Sequence, residues 1–245
     1  MSIPGKIIES LTRKYSDQST EVALRYLPVV HILRQAGVGK VLEVGSGSLG
    51  LTPYSGDFSL TGLDQSFEQD NPGMKQVIGS ALTLPFEDRS FDAVISVDSL
   101  EHIPPGEREA AVTEIIRTAY GLVVIAVPTG TAAEAHDRFL SERYRQVRGE
   151  DYPFFQDHLA YGLPGADALE QMVTRCLTRL GRSGTLTLHK NSNLRLRAFL
   201  MKGWISNNRF YHNLAVLGLM PFSGILSRLN YGGCYRAIAV IDLSG

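Results

Sequence analysis

The sequence predicts an α/β fold: a seven-stranded, mostly parallel sheet with helices on both faces and a helical cap inserted between the last two strands. Three observations carry this expectation. Short apolar strand candidates alternate with helical patterns from Lys40 to Pro128, which implies parallel pairing with helices above and below the sheet. Two further strand candidates follow and bring the total to seven. The 44 residues between those two, 191–234, are too many for a hairpin loop and must hold structure of their own.

Residues 6–36 read as helix. Ser19 or Thr20 can cap a segment whose Val22, Leu27, Val30 and Leu33 recur at helical spacing, and Gly37 and Gly39 close it. Residues 40–44 form a short strand that enters a glycine-rich loop. Residues 59–63, 75–78 and 91–97 read as the next three strands, the last of them apolar on both faces. Pro104 and Pro105 then break the chain. A helix over 107–120 carries acids in its first turn, where the helix dipole favours them. Residues 121–128 are the fifth strand. Helices are expected over 132–148 and 165–180, with an aromatic-rich loop, DYPFFQDHLAYGLP, between them. Residues 185–190 and 235–243 complete the strands. No internal repeat or low-complexity segment interrupts this single domain of 1–245.

Composition narrows the setting. Of 245 residues 44% are hydrophobic and 20% charged, which is ordinary for a globular protein in water. The two cysteines, Cys176 and Cys234, offer neither a metal spacing nor a disulfide framework, so a reducing, cytoplasmic location is expected. The first 17 residues lack the apolar core of a signal peptide. The most apolar stretch, 214–226, is interrupted by Gly218 and Pro221. Charge is unevenly placed: residues 1–170 carry 14 basic and 24 acidic side chains, whereas 171–245 carry ten basic and one acidic. Such asymmetry asks for a partner or an internal match.

In VLEVGSGSLG the glycines fall as G-x-G-x-x-G at Gly45, Gly47 and Gly50. A strand, this loop, and an acid about 20 residues on make the dinucleotide fingerprint; Asp64 follows Gly45 by 19 residues at the end of the second strand. An acid there accepts the ribose hydroxyls of any adenosine-type cofactor, so NAD stays open on these facts, as does a tight turn without a ligand. Glu43, two residues before Gly45, suits a cofactor with a cationic amino group. It works against a pyrophosphate, which prefers helix N-termini and backbone N–H groups.

The combination of VLEVGSGSLG, TGLDQS, ALTLPFEDRSFDAVIS and LEHI resembles the class I S-adenosylmethionine-dependent methyltransferases, over residues 40–128. The resemblance implies a Rossmann-like sheet, the cofactor S-adenosyl-L-methionine, and a layout of N-terminal helices (1–39), cofactor-binding core (40–128), acceptor-side helices and loop (129–183) and cap (191–234). It places Glu43 at the methionine amino end and the cofactor close against Gly45, Ser46 and Gly47. It places Asp64 on the ribose hydroxyls, Gln65 and Ser66 on the adenine side, and Ser80, Ala81 and Leu82 at the adenine edge. Asp98 and Ser99 would lie beside the sulfonium and its methyl group. Family members commonly carry Asp where this chain has Ser80, a weaker acceptor for the adenine amino group.

Methyl transfer from sulfur is an in-line displacement that depends chiefly on positioning. A hydroxyl acceptor also needs a base. His102, after the fourth strand, is the first candidate, with His158 the second and Asp98 beside the methyl group. Plainer roles stand next to these: packing under the double proline for His102, a helix-start residue for His158, a loop cap for Asp98. Asp98-x-x-Glu101-His102 also resembles the acid-x-x-Glu-His cluster of methyltransferases that hold a divalent ion against a diol. The sequence identifies no further ligand, so no metal is assigned. Metal-assisted O-methyl transfer through Asp98, Glu101 and His102 remains an alternative, as does a binding protein that has lost turnover.

In the cap, Arg195, Lys202 and Arg209 recur every seven residues, one face of a helix if the helix is continuous. Phe199, Trp204, Ile205 and Phe210 lie among them and are expected to face the pocket or the sheet's helices, with the bases on the rim. A basic amphipathic segment over 191–234 can rest on an anionic membrane surface. It can equally face the acidic first part of the chain. The expected acceptor is a small molecule or a lipid- or glycan-linked group, methylated at oxygen or nitrogen. Nucleic acid is not expected, because no RNA-binding module is present and the segment is too apolar for a phosphate stripe.

Overall fold

The structure, a computed structural model, describes residues 3–54 and 56–243. The stretch expected as one long helix is two, α1 (Ile3–Lys14) and α2 (Thr20–Gln35). A turn over residues 15–17 separates them, and the Ser19 side chain accepts the Val22 N–H to cap the second. The chain continues through β1 (Lys40–Val44), β2 (Ser59–Asp64), β3 (Lys75–Ile78), β4 (Phe91–Val97), α3 (Arg108–Thr118) and β5 (Ala119–Pro128). Next come α4 (Gly130–Arg148), α5 (Pro153–Tyr161), α6 (Ala166–Arg179) and β6 (Thr185–Asn193). The cap holds α7 (Leu194–Ile205), α8 (Arg209–Asn213) and α9 (Ser223–Leu226) before β7 (Cys234–Asp242).

The seven strands form one sheet in the order β3-β2-β1-β4-β5-β7-β6. β1, β2, β3, β4 and β5 pair in parallel, and β7 runs antiparallel between β5 and β6. The chain winds outward from β1 to β3, then returns across β1 to β4. This reversal makes a crevice at the carboxyl ends of β1 and β4, where open α/β sheets take their ligands.

Alternation along the central strands covers both faces. Leu42, Val44, Val94, Val123 and Ile125 pack against Ile115 and Ile116 of α3 and Val173 and Cys176 of α6. Val41, Ala93, Ile95, Val124 and Ala126 pack on the other face against Val29, Val30 and Leu33 of α2. Each large apolar side chain so buried contributes roughly 1.5–3 kcal/mol, which ties α2, a lid on one face of the sheet, firmly in place.

Two further expectations change. The aromatic loop between α4 and α6 contains α5: Pro153 stands in its first turn, where a missing N–H costs nothing, and Phe155 and His158, three residues apart, share its buried side. The cap helix is not continuous to Arg209. α7 stops at Ile205, and the Asn208 side chain caps a new helix by accepting the Tyr211 N–H, which resets the phase. Trp204 and Ile205 therefore join the inner cluster, while Phe199 and Phe210 are exposed. α7 packs closely on a π-helical turn at Leu214–Gly218: a Cβ on Gly203 would collide with that of Ala215.

Much of the late basic charge meets the early acidic charge. Arg175 and Arg179 pair with Glu109, Arg197 with Asp137, and Arg236 with Asp98 and Glu21. Arg182 instead donates to the carbonyls of Ile116, Ala119 and Tyr120, capping the end of α3.

Candidate functional site

The glycine loop leaves β1 at the crevice. Gly45 (φ +76°) and Gly47 (φ +57°) both adopt the left-handed conformation that disfavours other residues. They differ in what faces them. A Cβ on Gly45 would collide with the Ser99 hydroxyl, so the loop and the turn after β4 lie in contact there; a Cβ on Gly47 would meet nothing within 4 Å. Gly47 thus opens a space against bare backbone. Asp64, at the end of β2, accepts the Gly47 N–H at 2.7 Å and the Gln65 N–H at 2.7 Å, so it holds the loop open around that space. Gln65 and Ser66 are exposed beside it. On the next loop Ser80 is exposed and its hydroxyl accepts the Leu82 N–H at 3.2 Å, while Ala81 and Leu82 lean on the core. Bare backbone, a carboxylate at the strand end and a half-apolar loop after β3 fit an adenosine-type cofactor.

Two residues expected to touch that cofactor have their side chains engaged by the protein itself. Glu43 is fully buried; its carboxylate accepts the Tyr26 hydroxyl at 2.7 Å and the Leu51 N–H at 2.8 Å. Burial pushes its pKa up to about 7, against the pull of those two donors. Glu43 is a clamp beneath the loop, packed where a Cβ on Gly50 would strike it. Ser46 is buried, donates to the Gly47 carbonyl at 2.9 Å and packs over Gly62, so its side chain also supports the loop from below.

Beyond Ser99 lies a cavity of about 290 Å³. α2 supplies Glu21, Val22 and Arg25; the turn after β4 supplies Asp98, Glu101 and His102; α5 and its approach supply Tyr152, Phe154, Phe155 and His158. α7 adds Arg197, Leu200, Met201 and Trp204. One wall is aromatic: the Tyr152 ring stands 5.3 Å from Trp204 and 5.4 Å from Phe154.

The opposite wall is ionic. Asp98 sits in left-handed conformation (φ +48°), an uncommon state for a non-glycine residue and one found at functional turns. Both its oxygens receive the Arg236 guanidinium, with Arg25 at 3.4 Å. Arg236 also reaches Glu21, which in turn binds Arg25. Burial would raise the Asp98 and Glu21 carboxyls, but Arg236 and Arg25 hold both below the usual range. An ionised, doubly paired Asp98 is poorly suited to take a proton; as placed, it anchors the wall.

Between the two walls stand Glu101, His102 and His158. Glu101 is fully buried on a 3₁₀ turn (Leu100–His102), and neither carboxylate oxygen has a hydrogen-bond partner. Burial, with Asp98 adding to it, raises its pKa well above the usual range. His102 and His158 face each other with ring centroids 4.9 Å apart. His102 Nδ1 lies 3.0 Å from Asp157, and His158 Nδ1 lies 2.8 Å from Asp137. Asp137 is held further by the Tyr235 hydroxyl at 2.7 Å and by Arg197. His158 Nε2 is buried without a partner, 3.8 Å from Glu101.

The sequence pointed to His102, His158, Asp98 and Ser99 but not to Glu21, Arg25, Asp137, Arg197, Tyr235 or Arg236. One signal was available: Arg236 interrupts an apolar strand, and a charge in a buried strand must be paired. Asp137 lies on an ordinary polar helix and carries no such mark.

Residues 42–120 match the family model described as a methyltransferase domain. No curated protein sequence matches the chain. Among solved structures, the methyltransferase domain of bacterial CtHen1 superposes with a TM-score of 0.52 at 13% identity, covering 90% of this chain and 98% of that one. YcgJ protein from Bacillus subtilis gives 0.52 at 14% identity, with 91% and 98% covered. Phosphoethanolamine N-methyltransferase 2 from Haemonchus contortus, in complex with phosphomonomethylethanolamine and S-adenosylhomocysteine, gives 0.52 at 16% identity, with 89% and 52% covered. At these identities the superpositions speak to fold alone.

Proposed function

We propose, from the premise that the chain is a class I S-adenosylmethionine-dependent methyltransferase, that it methylates an oxygen or nitrogen of a compact acceptor held in the 290 Å³ cavity. The observation that carries this reading is the contact between Ser99 and Gly45. It makes the turn after β4 a shared wall between the glycine loop and the cavity. Asp64 would hold the ribose, Gly45 and Gly47 would admit the cofactor against the backbone, and Ser80, Ala81 and Leu82 would flank the adenine. When bound, the cofactor supplies a methyl group on positively charged sulfur, already activated for displacement.

The chain's own residues then do the positioning. Tyr152, Phe154 and Trp204 grip an apolar body, and the cluster of Glu101, His102 and His158 receives the reacting end. As the acceptor's bond to the methyl forms, the sulfur–methyl bond breaks, and the acceptor's proton goes to one of the two imidazoles. Volume favours a small molecule, or the head of a longer lipid- or glycan-linked one. A second reading, contact with an anionic membrane, is favoured by exposed Phe199, Phe210, Phe222 and Ile225 on the same cap as Arg195, Arg209 and Arg228. Purified protein incubated with S-adenosylmethionine and panels of phenols, alcohols, amines and phospholipid head groups tests the main reading by S-adenosylhomocysteine release. His158→Ala should lower turnover by roughly 10²–10⁴ while cofactor affinity is kept. Release that ignores His158 and His102 alike would remove the cluster from the reaction. Flotation with anionic vesicles tests the second reading.

A further inference from the structure

We propose that the acceptor taken into the cavity is a compact primary or secondary amine that arrives as its ammonium ion, held between the Glu101 carboxylate and the faces of Tyr152 and Trp204. This rests on the methyl-transfer reading and narrows its acceptor atom from oxygen or nitrogen to nitrogen. Charge is the first reason. In the ionic wall three carboxylates, Glu21, Asp98 and Asp137, are matched by three arginines, Arg25, Arg197 and Arg236. Glu101 is a fourth buried carboxylate, and no arginine bonds it: Arg108, close by, gives its guanidinium to the carbonyls of Ile103 and Gly162. Burial and Asp98 press Glu101 toward its neutral form. A cationic guest restores its charge and completes the set, whereas an anionic guest adds to the repulsion.

Hydrogen bonding points the same way. Both Glu101 oxygens and His158 Nε2 lack partners, and both residues line the cavity. His158 gives its Nδ1 proton to Asp137, so Nε2 is a lone pair. All three bare atoms are therefore acceptors, which buried groups of a folded protein normally see satisfied. The Arg25 and Arg197 Nε groups, also without hydrogen bonds, face Asp98 at 3.4 Å and Glu21 at 3.7 Å. A hydroxyl brings one proton to three acceptors; a primary ammonium brings three. Across the cavity the Tyr152 and Trp204 rings, 5.3 Å apart, offer π-faces that attract cations. Glu101 and His158 Nε2 lie just beneath the cavity surface, and small side-chain rotations bring them to the nitrogen. The ammonium gives one proton to His158 Nε2, where Asp137 supports the imidazolium. The freed lone pair forms the nitrogen–methyl bond as the electrons of the sulfur–methyl bond return to sulfur. The methylated nitrogen now carries the charge that left the sulfur, Glu101 offsets it, and the imidazolium releases its proton to solvent.

The test is calorimetry on the full-length protein in amine-free buffer, with and without saturating S-adenosylhomocysteine. The probes are benzylamine, phenethylamine and cyclohexylamine, set against uncharged phenethyl alcohol and anionic phenylacetate. At least one amine should bind roughly tenfold or more tighter than the alcohol and the acid, and with S-adenosylmethionine should give an N-methylated product by mass spectrometry. Glu101→Gln should weaken amine binding by roughly tenfold to a hundredfold and leave the alcohol unchanged. Trp204→Leu should weaken the amine several-fold; Trp204 is only partly buried, so this variant keeps the test informative if Glu101→Gln fails to fold. Wild type that binds no amine, or binds the alcohol or the acid as tightly, overturns the proposal, as does amine binding unchanged in both variants. S-adenosylhomocysteine binding with transfer to the alcohol alone sinks the amine and leaves methyl transfer standing. Variant-sensitive amine binding by a protein that does not take S-adenosylhomocysteine sinks the methyl-transfer reading and leaves the amine site standing.

Discussion

The glycine-loop half of the site and the cavity half are built in opposite ways. The first is local: Glu43, Gly45, Gly47, Gly50 and Asp64 lie within 22 residues, and their contacts run between two adjacent parallel strands and the loop joining them. The second is gathered from the whole chain. Glu21 and Arg25 come from α2, Asp98 and Glu101 from the turn after β4, Asp137 from α4, His158 from α5, Arg197 from α7 and Arg236 from β7. The local half is held by hydrogen bonds to backbone N–H groups. The gathered half is held by charge, with Arg236 reaching back to Glu21 near the start of the chain. On the proposed reading, a cofactor common to many proteins is met by a motif, whereas the acceptor is met by a wall that only the finished fold assembles.

This contrast can be broken most severely at Arg236. Arg236→Ala leaves buried Asp98 without its main partner and Glu21 with Arg25 alone close to it, and stability should fall by about 3–5 kcal/mol. Denaturant titration checks this. A paired Arg236→Met, Asp98→Asn variant should recover part of the loss, since two neutral groups replace one stranded charge.

Next in size is Glu43, whose pKa rises from 4.5 to about 7 on folding. A carboxyl with a raised folded pKa stabilises fully below pH 4.5 and loses that contribution as pH rises through 7. The shift corresponds to on the order of 3 kcal/mol. Glu43→Gln should remove this dependence while keeping the Leu51 and Tyr26 contacts, so the stability difference between wild type and variant should slope only between about pH 4.5 and 7. A parallel pair of pH curves would show that Glu43 does not titrate there.

Asp64→Ala should affect ligand rather than fold. Loss of charge-assisted bonds to ribose, each worth roughly 1.5–3 kcal/mol, should weaken S-adenosylhomocysteine binding by well over tenfold in calorimetry, with a smaller drop in melting temperature from the released Gly47 N–H. Smallest is Arg179→Ala. Its bond to Glu109 lies at the surface, and the change should cost less than about 1 kcal/mol.

What the sequence disclosed follows the same division. Strand positions from β1 to β5 and the loop geometry were legible because apolar alternation and glycine spacing are local. α5 was missed because an aromatic-rich stretch reads as loop until one sees that Phe155 and His158 share a buried side. The break after Ile205 was missed because the seven-residue recurrence of Arg195, Lys202 and Arg209 ignores the Asn208 cap. His158 was found but its partner Asp137 was not, since a pairing across 21 residues and two helices leaves no trace in spacing. The late basic charge was visible as an imbalance; only the fold shows that Arg197 and Arg236 pair with buried carboxylates at and behind the cavity wall, while Arg195 and Arg209 stay exposed.

The shared wall made by the turn after β4 is tested most directly by a crystal structure of the protein with S-adenosylhomocysteine. The expected result is a ribose on Asp64 and a sulfur in contact with Ser99, with an open path from it to His102 and Trp204. A sulfur that points away from that turn, with protein between it and the cavity, would contradict the placement of the acceptor.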